Sequence, residues 1–226
     1  MDDGARPPAS RLNRQSGLLA PSLGYVDEMT IIDSGSAAVS SAVAARASFR
    51  SFDESTADDW AIIAPQLAVT QSFVPDRILE QLGHLRSDHG GFPIDRLEHS
   101  LQTATRAERD GRDMEYVLCA LLHDIGDTLS PYHHPAIGAA IAKPFVSEAN
   151  HWMMEHHGIF QGYYFWQHIG LDQHAREAYR ESPFFEHTEE FCAKYDQVAF
   201  DSDYRSAPLE HFEPMIRTVF GGARSL

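Results

Sequence analysis

The chain has 226 residues, a length typical of one well-cored domain with some additional sequence. Its 33 acidic residues outnumber its 18 basic residues and give a formal charge of -15, which disfavours nucleic acid and anionic membranes as partners. Only two cysteines occur and no apolar run approaches the ~20 residues of a membrane helix, so we expect a cytoplasmic protein without disulfides.

The first part of the chain differs in composition from the rest. Residues 1–50 are rich in Ala, Ser, Gly and Pro and show no sustained helical period, which predicts a flexible or loosely docked extension. The pattern changes at Thr56, which can cap a helix that carries Asp58 and Asp59 in its first turn. We therefore expect the folded domain to occupy residues 51–226.

Helical signals continue along the chain, whereas strand signals are sparse. Pro75 suits the first turn of a second helix, and Asp113 can cap a later helix that is apolar on nearly all sides and therefore buried. Gly126 is expected to end this buried helix, and Gly158 to end another that begins near Glu148. The sequence thus predicts an all-α helical bundle. Further predicted helices run from about Ile94 to Asp110, from His134 or Pro135 to Phe145, and from Glu189 to Ala199.

Histidine and aspartate residues on these helices indicate a metal site. His123 and Asp124 are adjacent at the end of the apolar helix, where an unpaired buried carboxylate would cost several kcal/mol. Neighbouring helix positions point about 100° apart, so Asp124 is free to bridge two ions. His99 lies 24 positions earlier (123 minus 99), so two antiparallel helices can bring both imidazoles together. Imidazole and carboxylate ligands suit iron, manganese or zinc.

The pattern of His99, His123-Asp124 and Asp196 resembles the H…HD…D signature of the HD-domain superfamily, whose fold is a helical bundle around a metal site. Residues 76–200 carry the resemblance. Dinuclear members have two more histidines before the last Asp. This chain offers His133 or His134, which opens a helix, and then His156 or His157, which directly precedes Gly158. We choose His134 and His157, so the predicted dinuclear ligand set is His99, His123, Asp124, His134, His157 and Asp196, with His133 and His156 as supporting donors or surface residues.

Two further similarities favour an oxygenase over a hydrolase. Leu97 to Ala104 is similar to the first ligand helix of the HD-domain mixed-valent diiron oxygenases, the group that includes organophosphonate-cleaving oxygenases. Residues 153–157 and 194–196 resemble the related myo-inositol oxygenase. The resemblance implies two iron ions, Fe(II) and Fe(III), which Asp124 bridges, and O2 as the co-substrate.

The function implied by this resemblance is a non-haem diiron oxygenase that oxidises or cleaves a small hydroxylated or amino-bearing substrate at a metal-bound carbon. The alternative is a metal-dependent HD phosphohydrolase acting on a nucleotide or phosphomonoester, since a metal-bound water could use the same ligands. The scarcity of Lys and Arg near the motifs disfavours a phosphate-rich substrate. A third interpretation is a catalytically silent ligand-sensing protein. A monomer and a homodimer are both compatible with the composition.

The chain departs from these oxygenases at positions that recognise substrate. The phosphonate enzymes carry a Tyr and a Glu in the loop before the first His, and the corresponding positions here are His89 and Phe92. Inositol oxygenase has a Lys where this chain has Asp127, which favours a cationic or polyhydroxyl substrate unless Asp127 caps the next helix. The candidate substrate-binding residues are Asp127, Gln161, Tyr164, Lys194 and His89.

Overall fold

The computed structural model describes residues 45–221, and this part of the chain contains helices and no strand, which confirms the predicted all-α class. Its α-helices are α1 (Ala57–Ser72), α2 (Val74–Gly83), α3 (Arg96–Arg109), α4 (Met114–Leu122), α5 (His134–Ala142), α6 (Glu148–Gln161), α7 (Phe185–Phe191) and α8 (Leu209–Phe220). Short 3-10 helices cover Phe52–Glu54, Gly162–Tyr164, Trp166–Ile169 and Ala175–Tyr179. Over the described range, each helix is too short or too polar to cross a membrane.

The compact unit that contains the described residues begins at Ala45. The predicted extension 1–50 therefore lies outside the described residues, except for residues 45–50. Both the extension and its boundary with the domain stay predictions.

The helix predicted to begin at Thr56 is present as α1. The Thr56 hydroxyl accepts a hydrogen bond from the Asp59 backbone, and the Asp59 carboxylate accepts one from the Thr56 backbone, which together form a capping box. The apolar residues of α1 are not buried by this fold, since Trp60 and Leu67 remain 43% and 50% exposed. Capping therefore defines where α1 begins, while α1 contributes little to the core.

The centre of the core is α4, as its apolar sequence predicts. Asp113 caps this helix by accepting a hydrogen bond of 2.9 Å from the Tyr116 backbone. Every residue from Tyr116 to Leu122 is buried. Helix α3 packs along α4, α6 packs against both α5 and α7, and α2 packs against α8. The end of α4, where His123 follows, therefore lies inside the molecule.

Two glycines let α5 pack closely against the end of α4. A Cβ atom at Gly138 would lie 2.9 Å from the carbonyl oxygens of Leu122 and His123, and a Cβ atom at Gly126 would lie 2.9 Å from the carbonyl oxygen of His134. Real Cβ atoms do not approach backbone this closely, so any larger residue would push the two helices apart. The glycines thereby bring the first residue of α5 beside the His-Asp pair.

The predicted end of α6 at Gly158 is wrong, because the helix continues to Gln161. Gly158 sits inside the helix, and a Cβ atom there would lie 3.2 Å from Pro135 Cγ at the beginning of α5. The glycine therefore makes room for a neighbouring helix instead of stopping its own. A packing requirement and a stop signal have the same appearance in a sequence.

The late helix predicted from Glu189 to Ala199 is also different in the structure. An α-helix begins earlier, at Phe185, and ends at Phe191, and a π-helical turn follows over Cys192–Asp196. In this turn the Gln197 backbone donates a hydrogen bond of 3.0 Å to the Cys192 carbonyl. The two residues are five positions apart, one more than in an α-helix. Such turns occur frequently at functional sites. Here the turn ends at Asp196, which is buried.

Candidate metal centre

Four imidazole rings converge between α3, α4, α5 and α6, and each ring has its Nδ1 atom beside a backbone carbonyl. Because a carbonyl oxygen only accepts hydrogen bonds, each Nδ1 carries a proton and donates it. In a neutral ring, the Nε2 atom then presents a lone pair to the centre. The four Nδ1 to oxygen distances are 3.0 Å from His99 to Ala199, 2.9 Å from His123 to Ala120, 2.7 Å from His134 to Pro131 and 2.8 Å from His157 to Met154.

The Nε2 atoms of these rings form two close pairs. The atoms of His99 and His123 are 3.2 Å apart, and those of His134 and His157 are 3.3 Å apart. Two nitrogen lone pairs at such distances repel each other unless a cation lies between or beside them. Both pairs therefore have the arrangement expected of metal ligands whose other nitrogen is fixed by the protein.

Asp124 lies between the two imidazole pairs. Its Oδ2 atom is 3.3 Å from Nε2 of both His99 and His123. Its Oδ1 atom is 3.2 Å from Nε2 of His134 and 3.1 Å from Nε2 of His157. Each carboxylate oxygen thus faces one pair, which is the arrangement of a carboxylate that bridges two ions.

Asp196 adds a second carboxylate on the side of the first pair. Its Oδ1 atom is 3.2 Å from His99 Nε2 and accepts a hydrogen bond of 2.9 Å from the Gln161 amide. Its Oδ2 atom is buried and has no partner among the described residues. A buried carboxylate oxygen without a partner is costly, and a bound cation would offset that cost.

The electrostatics of the cluster favour positive charge at its centre. Burial disfavours the charged form of His99, but the carboxylates of Asp124 and Asp196 outweigh burial and raise its pKa to about 9. The pKa of His123 is also raised, against burial, by the same carboxylates. Burial alone would raise the pKa of Asp124, yet the surrounding imidazoles, above all His123, hold it well below its ordinary value. The carboxylates therefore stay ionised and attract a cation.

The donor atoms fit the pair of iron ions that the resemblance implies. One position has nitrogen from two histidines and oxygen from Asp196 and Asp124, and the other has nitrogen from two histidines and oxygen from Asp124. Nitrogen and oxygen ligands without thiolate suit iron, manganese or zinc. Cys192 is near, but burial raises the pKa of its thiol well above the ordinary value, and the thiol donates to the His157 carbonyl. Its sulfur therefore stays protonated.

In each of the two histidine doublets, His133-His134 and His156-His157, the fold directs one ring toward the cluster and the other away from it. His134 and His157 face the cluster, as the sequence analysis chose. Exposed His133 precedes α5 as its N-terminal capping residue and makes no side-chain capping bond. His156 stacks on Trp152 with ring centroids 3.9 Å apart, and its Nδ1 atom is 3.0 Å from the Trp152 carbonyl.

Asp127 contacts the imidazole of His134 and orients it. Its side chain is 5% exposed, its Oδ1 atom is 3.0 Å from Nδ1 of His134, and its Oδ2 atom accepts a hydrogen bond from Arg96. Arg96 also pairs with Asp88 at 3.2 Å. The alternative in which Asp127 caps the next helix is wrong, because the capping position of α5 belongs to His133 and Asp127 is occupied by other partners.

A cleft of about 810 Å³ opens onto the cluster. Three of the predicted substrate-binding residues line it, namely Asp127, Gln161 and Tyr164. Lys194 and His89 are not among its lining residues. The ammonium group of Lys194 pairs with Glu190 at 2.7 Å and lines a separate pocket beside Tyr195, and His89 is exposed in the loop before α3.

The sequence analysis missed two residues beside the ligands. Arg96 lies three positions before His99 in α3, a spacing that puts both on one helix face and could have indicated its role. The ring of Phe200 stacks on the His99 ring with centroids 4.3 Å apart. Phe200 follows the last ligand in an irregular segment, where no periodic pattern marks it.

The family of the chain follows from its sequence as well as from this site. The HD domain family matches residues 96–208, which is half of the chain. The chain therefore belongs to the HD-domain family. This confirms the resemblance on which the ligands were chosen, and the matched residues of the HD domain include every predicted ligand from His99 to Asp196.

Curated relatives of this HD-domain protein include two phosphonate dioxygenases. The hydroxymethylphosphonate dioxygenase of Gimesia maris is 34% identical over 34% of this chain and 47% of its own length. The glycine-betaine-forming (1-hydroxy-2-(trimethylamino)ethyl)phosphonate dioxygenase of Leisingera caerulea is 40% identical over 24% of this chain and 34% of its own length. The chain thus spans less than half the length of these curated relatives.

Proposed function

We propose that this HD-domain protein is a non-haem diiron oxygenase that uses O2 to oxidise or cleave a small hydroxylated or amino-bearing substrate. The observation that carries the proposal is the position of Asp124, whose two oxygens each face a separate pair of imidazoles. The dioxygenase names of the relatives in Gimesia maris and Leisingera caerulea support it.

The residues of the chain would keep the ligands in one geometry. Bound iron would supply the redox chemistry that the reduction of O2 requires. The backbone carbonyls fix the rotation of each imidazole, Gln161 fixes Asp196, and Asp127 fixes His134. Because the histidines lie on or directly beside packed helices, the cluster needs little reorganisation when it binds a metal or a substrate.

The floor of the cleft suits a substrate that carries a hydroxyl or an amine. Side chains of His99, Asp124 and His157 line it, so a substrate in the cleft can reach the ligand cluster. The amide oxygen of Gln161 is buried and has no partner among the described residues. A hydroxyl or amine hydrogen beside Gln161 would supply the missing donor.

The two outcomes of the proposed reaction differ in their need for electrons. Cleavage of a vicinal diol by one O2 yields a carboxylic acid, an aldehyde and water, so all four electrons come from the substrate. Hydroxylation takes two electrons from the substrate and two from an added reductant. O2 uptake without a reductant therefore excludes hydroxylation, and the aldehyde and acid products identify oxidative cleavage.

The test is O2 consumption by the iron-reconstituted protein with a panel of diols, amino alcohols and hydroxyphosphonates. We expect uptake that matches substrate loss one to one, loss of that uptake in Asp124→Asn, and retention in His156→Ala, whose side chain lies outside the cluster. Release of phosphate from nucleotides or phosphomonoesters without O2 uptake would replace the oxygenase with the phosphohydrolase.

A further inference from the structure

The walls of the cleft are far more apolar than its floor. The cleft volume of about 810 Å³ lies in the range that holds a drug-sized molecule, and exceeds what a substrate of a few carbon atoms fills. Apolar or aromatic side chains form much of the wall: Phe92, Pro131, Phe165, Trp166, Ile169 and Phe200.

Several of these wall residues remain exposed in the protein. Phe92 is 50% exposed, Phe165 is 43% exposed and Ile169 is 61% exposed. Single exposed apolar residues need no explanation, but a group of them around one cleft is typical of a surface that binds an apolar ligand. The wall therefore has hydrophobic area to bury when the cleft is filled.

The charge of the cleft outside the ligand cluster disfavours an anionic ligand. Apart from Asp124 and Asp196, whose charge the bound ions would offset, the described lining residues carry three carboxylates and a single Lys or Arg side chain, which is Arg96. Its guanidinium group is already bound by Asp88 and Asp127. Phosphonates and carboxylates are normally bound by free Arg or Lys side chains. The formal charge of -15 adds long-range repulsion of anions.

We infer that the cleft binds a neutral or cationic 1,2-diol or 1,2-amino alcohol that carries an alkyl or aryl tail, and that it discriminates against phosphonates. The polar head lies at the floor beside Gln161, and the tail lies along the wall of Phe165 and Ile169. The position of the head rests on the proposed oxygenase function, whereas the position of the tail rests on the wall alone.

The first experiment measures binding without turnover, by calorimetry on the full chain loaded with Fe(II) under anaerobic conditions. The probes are 1,2-propanediol, 1,2-hexanediol and hydroxymethylphosphonate. Complete burial of one methylene improves affinity about fourfold, the equivalent of ~0.8 kcal/mol. Because the wall is partly open, we expect an improvement of about tenfold or more from propanediol to hexanediol, with hydroxymethylphosphonate binding more weakly than hexanediol.

The second experiment removes the wall. The double substitution Phe165→Ser and Ile169→Ser should weaken hexanediol binding about tenfold and leave propanediol binding unchanged, because only the longer tail reaches these residues. Both side chains are partly exposed, so the variant should fold. Leu171→Ser is the matched control, since Leu171 is 53% exposed and is not among the described lining residues.

Affinity that does not change with tail length, or tighter binding of hydroxymethylphosphonate than of hexanediol, would overturn the inference. The same holds if Leu171→Ser weakens hexanediol binding as much as the double substitution does. Failure of the oxygenase function gives a different result. A protein whose affinity for diols rises with tail length but that consumes no O2 would support the inferred ligand class and contradict the oxygenase function.

Discussion

The protonation of the individual rings determines what this centre can bind. All four candidate ligand histidines donate from Nδ1 to a carbonyl, so all four Nε2 atoms are directed to the cluster, where each can bind a metal once it has lost its own proton. His134 differs in having Asp127 as a further partner of its Nδ1. The proposed centre therefore depends on Asp124 to connect the two imidazole pairs and on Asp127 to orient His134.

Replacing Asp124 by Asn should remove the bridge. An amide offers one acceptor oxygen where the carboxylate offers two, so Asn cannot face both imidazole pairs with an acceptor. We expect metal content, measured by elemental analysis, to fall to half or less of that of the unaltered protein. His133→Ala and His156→Ala are controls that should keep full metal content. Full content in Asp124→Asn would contradict the bridging role.

Replacing Asp127 by Ala should weaken the metal position that His134 and His157 form. Loss of a carboxylate that orients a ligand histidine typically lowers metal affinity about 10- to 100-fold. Titration against a competing chelator measures this loss. Asp88→Ala is the matched control, because Asp88 contacts Arg96 and makes no contact with His134. Equal losses in both variants would show that disturbance of Arg96, and not of His134, is responsible.

The sequence could predict that these six residues lie together, because the spacing of a histidine and a His-Asp pair constrains which helices meet, while their role as ligands stays a prediction. The choice of His134 over His133 and of His157 over His156 had little physical support, since the helix end expected at Gly158 is wrong. Neighbouring residues of a helix point about 100° apart, so one of each doublet must face elsewhere. Which one does so is decided by packing, as when His156 stacks on Trp152.

The close contact between α4 and α5 determines how near His134 lies to the His123-Asp124 pair. Gly138→Ala should destabilise the protein by about 1–3 kcal/mol, because the added methyl group meets the carbonyls of Leu122 and His123. Urea denaturation measures the change. Gly83→Ala at the end of α2 is the control, since no atom lies within 4 Å of the added methyl group. That variant should be neutral or more stable by up to ~1 kcal/mol. Equal stability of the two variants would argue against close packing at Gly138.

Two of the differences between predicted and observed helix boundaries have physical causes that a single sequence does not reveal. Gly158 was interpreted as a stop, but it accommodates Pro135 within a continuing helix. The π-helical turn over Cys192–Asp196 arises from hydrogen bonds of longer spacing, which leave no mark in the pattern of apolar residues. Capping, by contrast, depends on local chemistry, and the caps predicted at Thr56 and Asp113 are present.

The stability of the whole metal-free molecule should depend on the charge of its centre. The folded pKa of His99 is raised from 6.5 to about 9, so its imidazolium stabilises the fold fully below pH 6.5. That contribution is lost as the pH rises through about 9. We expect the urea midpoint of chelator-treated protein to fall between pH 7 and pH 9.5 by more than that of metal-loaded protein, in which metal replaces the proton. Equal decreases would contradict the account.

The cleft is formed by residues from many segments of the molecule, and it was therefore the least predictable part of the site. Its lining comes from the loop before α3, from the beginnings of α3 and α5, from the segment between α4 and α5, from α6 and the turns that follow it, and from the segment that begins at Asp196. No local pattern brings Phe92 and Phe200 together, although their rings stack with centroids 5.3 Å apart. Only the assembled fold shows that the cleft has polar residues at its floor and apolar residues along its walls.

The central claim is that one chain holds two irons bridged by Asp124. It is tested most directly by iron analysis and low-temperature EPR spectroscopy on protein that is loaded anaerobically with Fe(II) and then partly oxidised. The account predicts about two irons per chain and the signal of a coupled Fe(II)/Fe(III) pair, with that signal absent in Asp124→Asn. A single iron per chain without a coupled signal would contradict it.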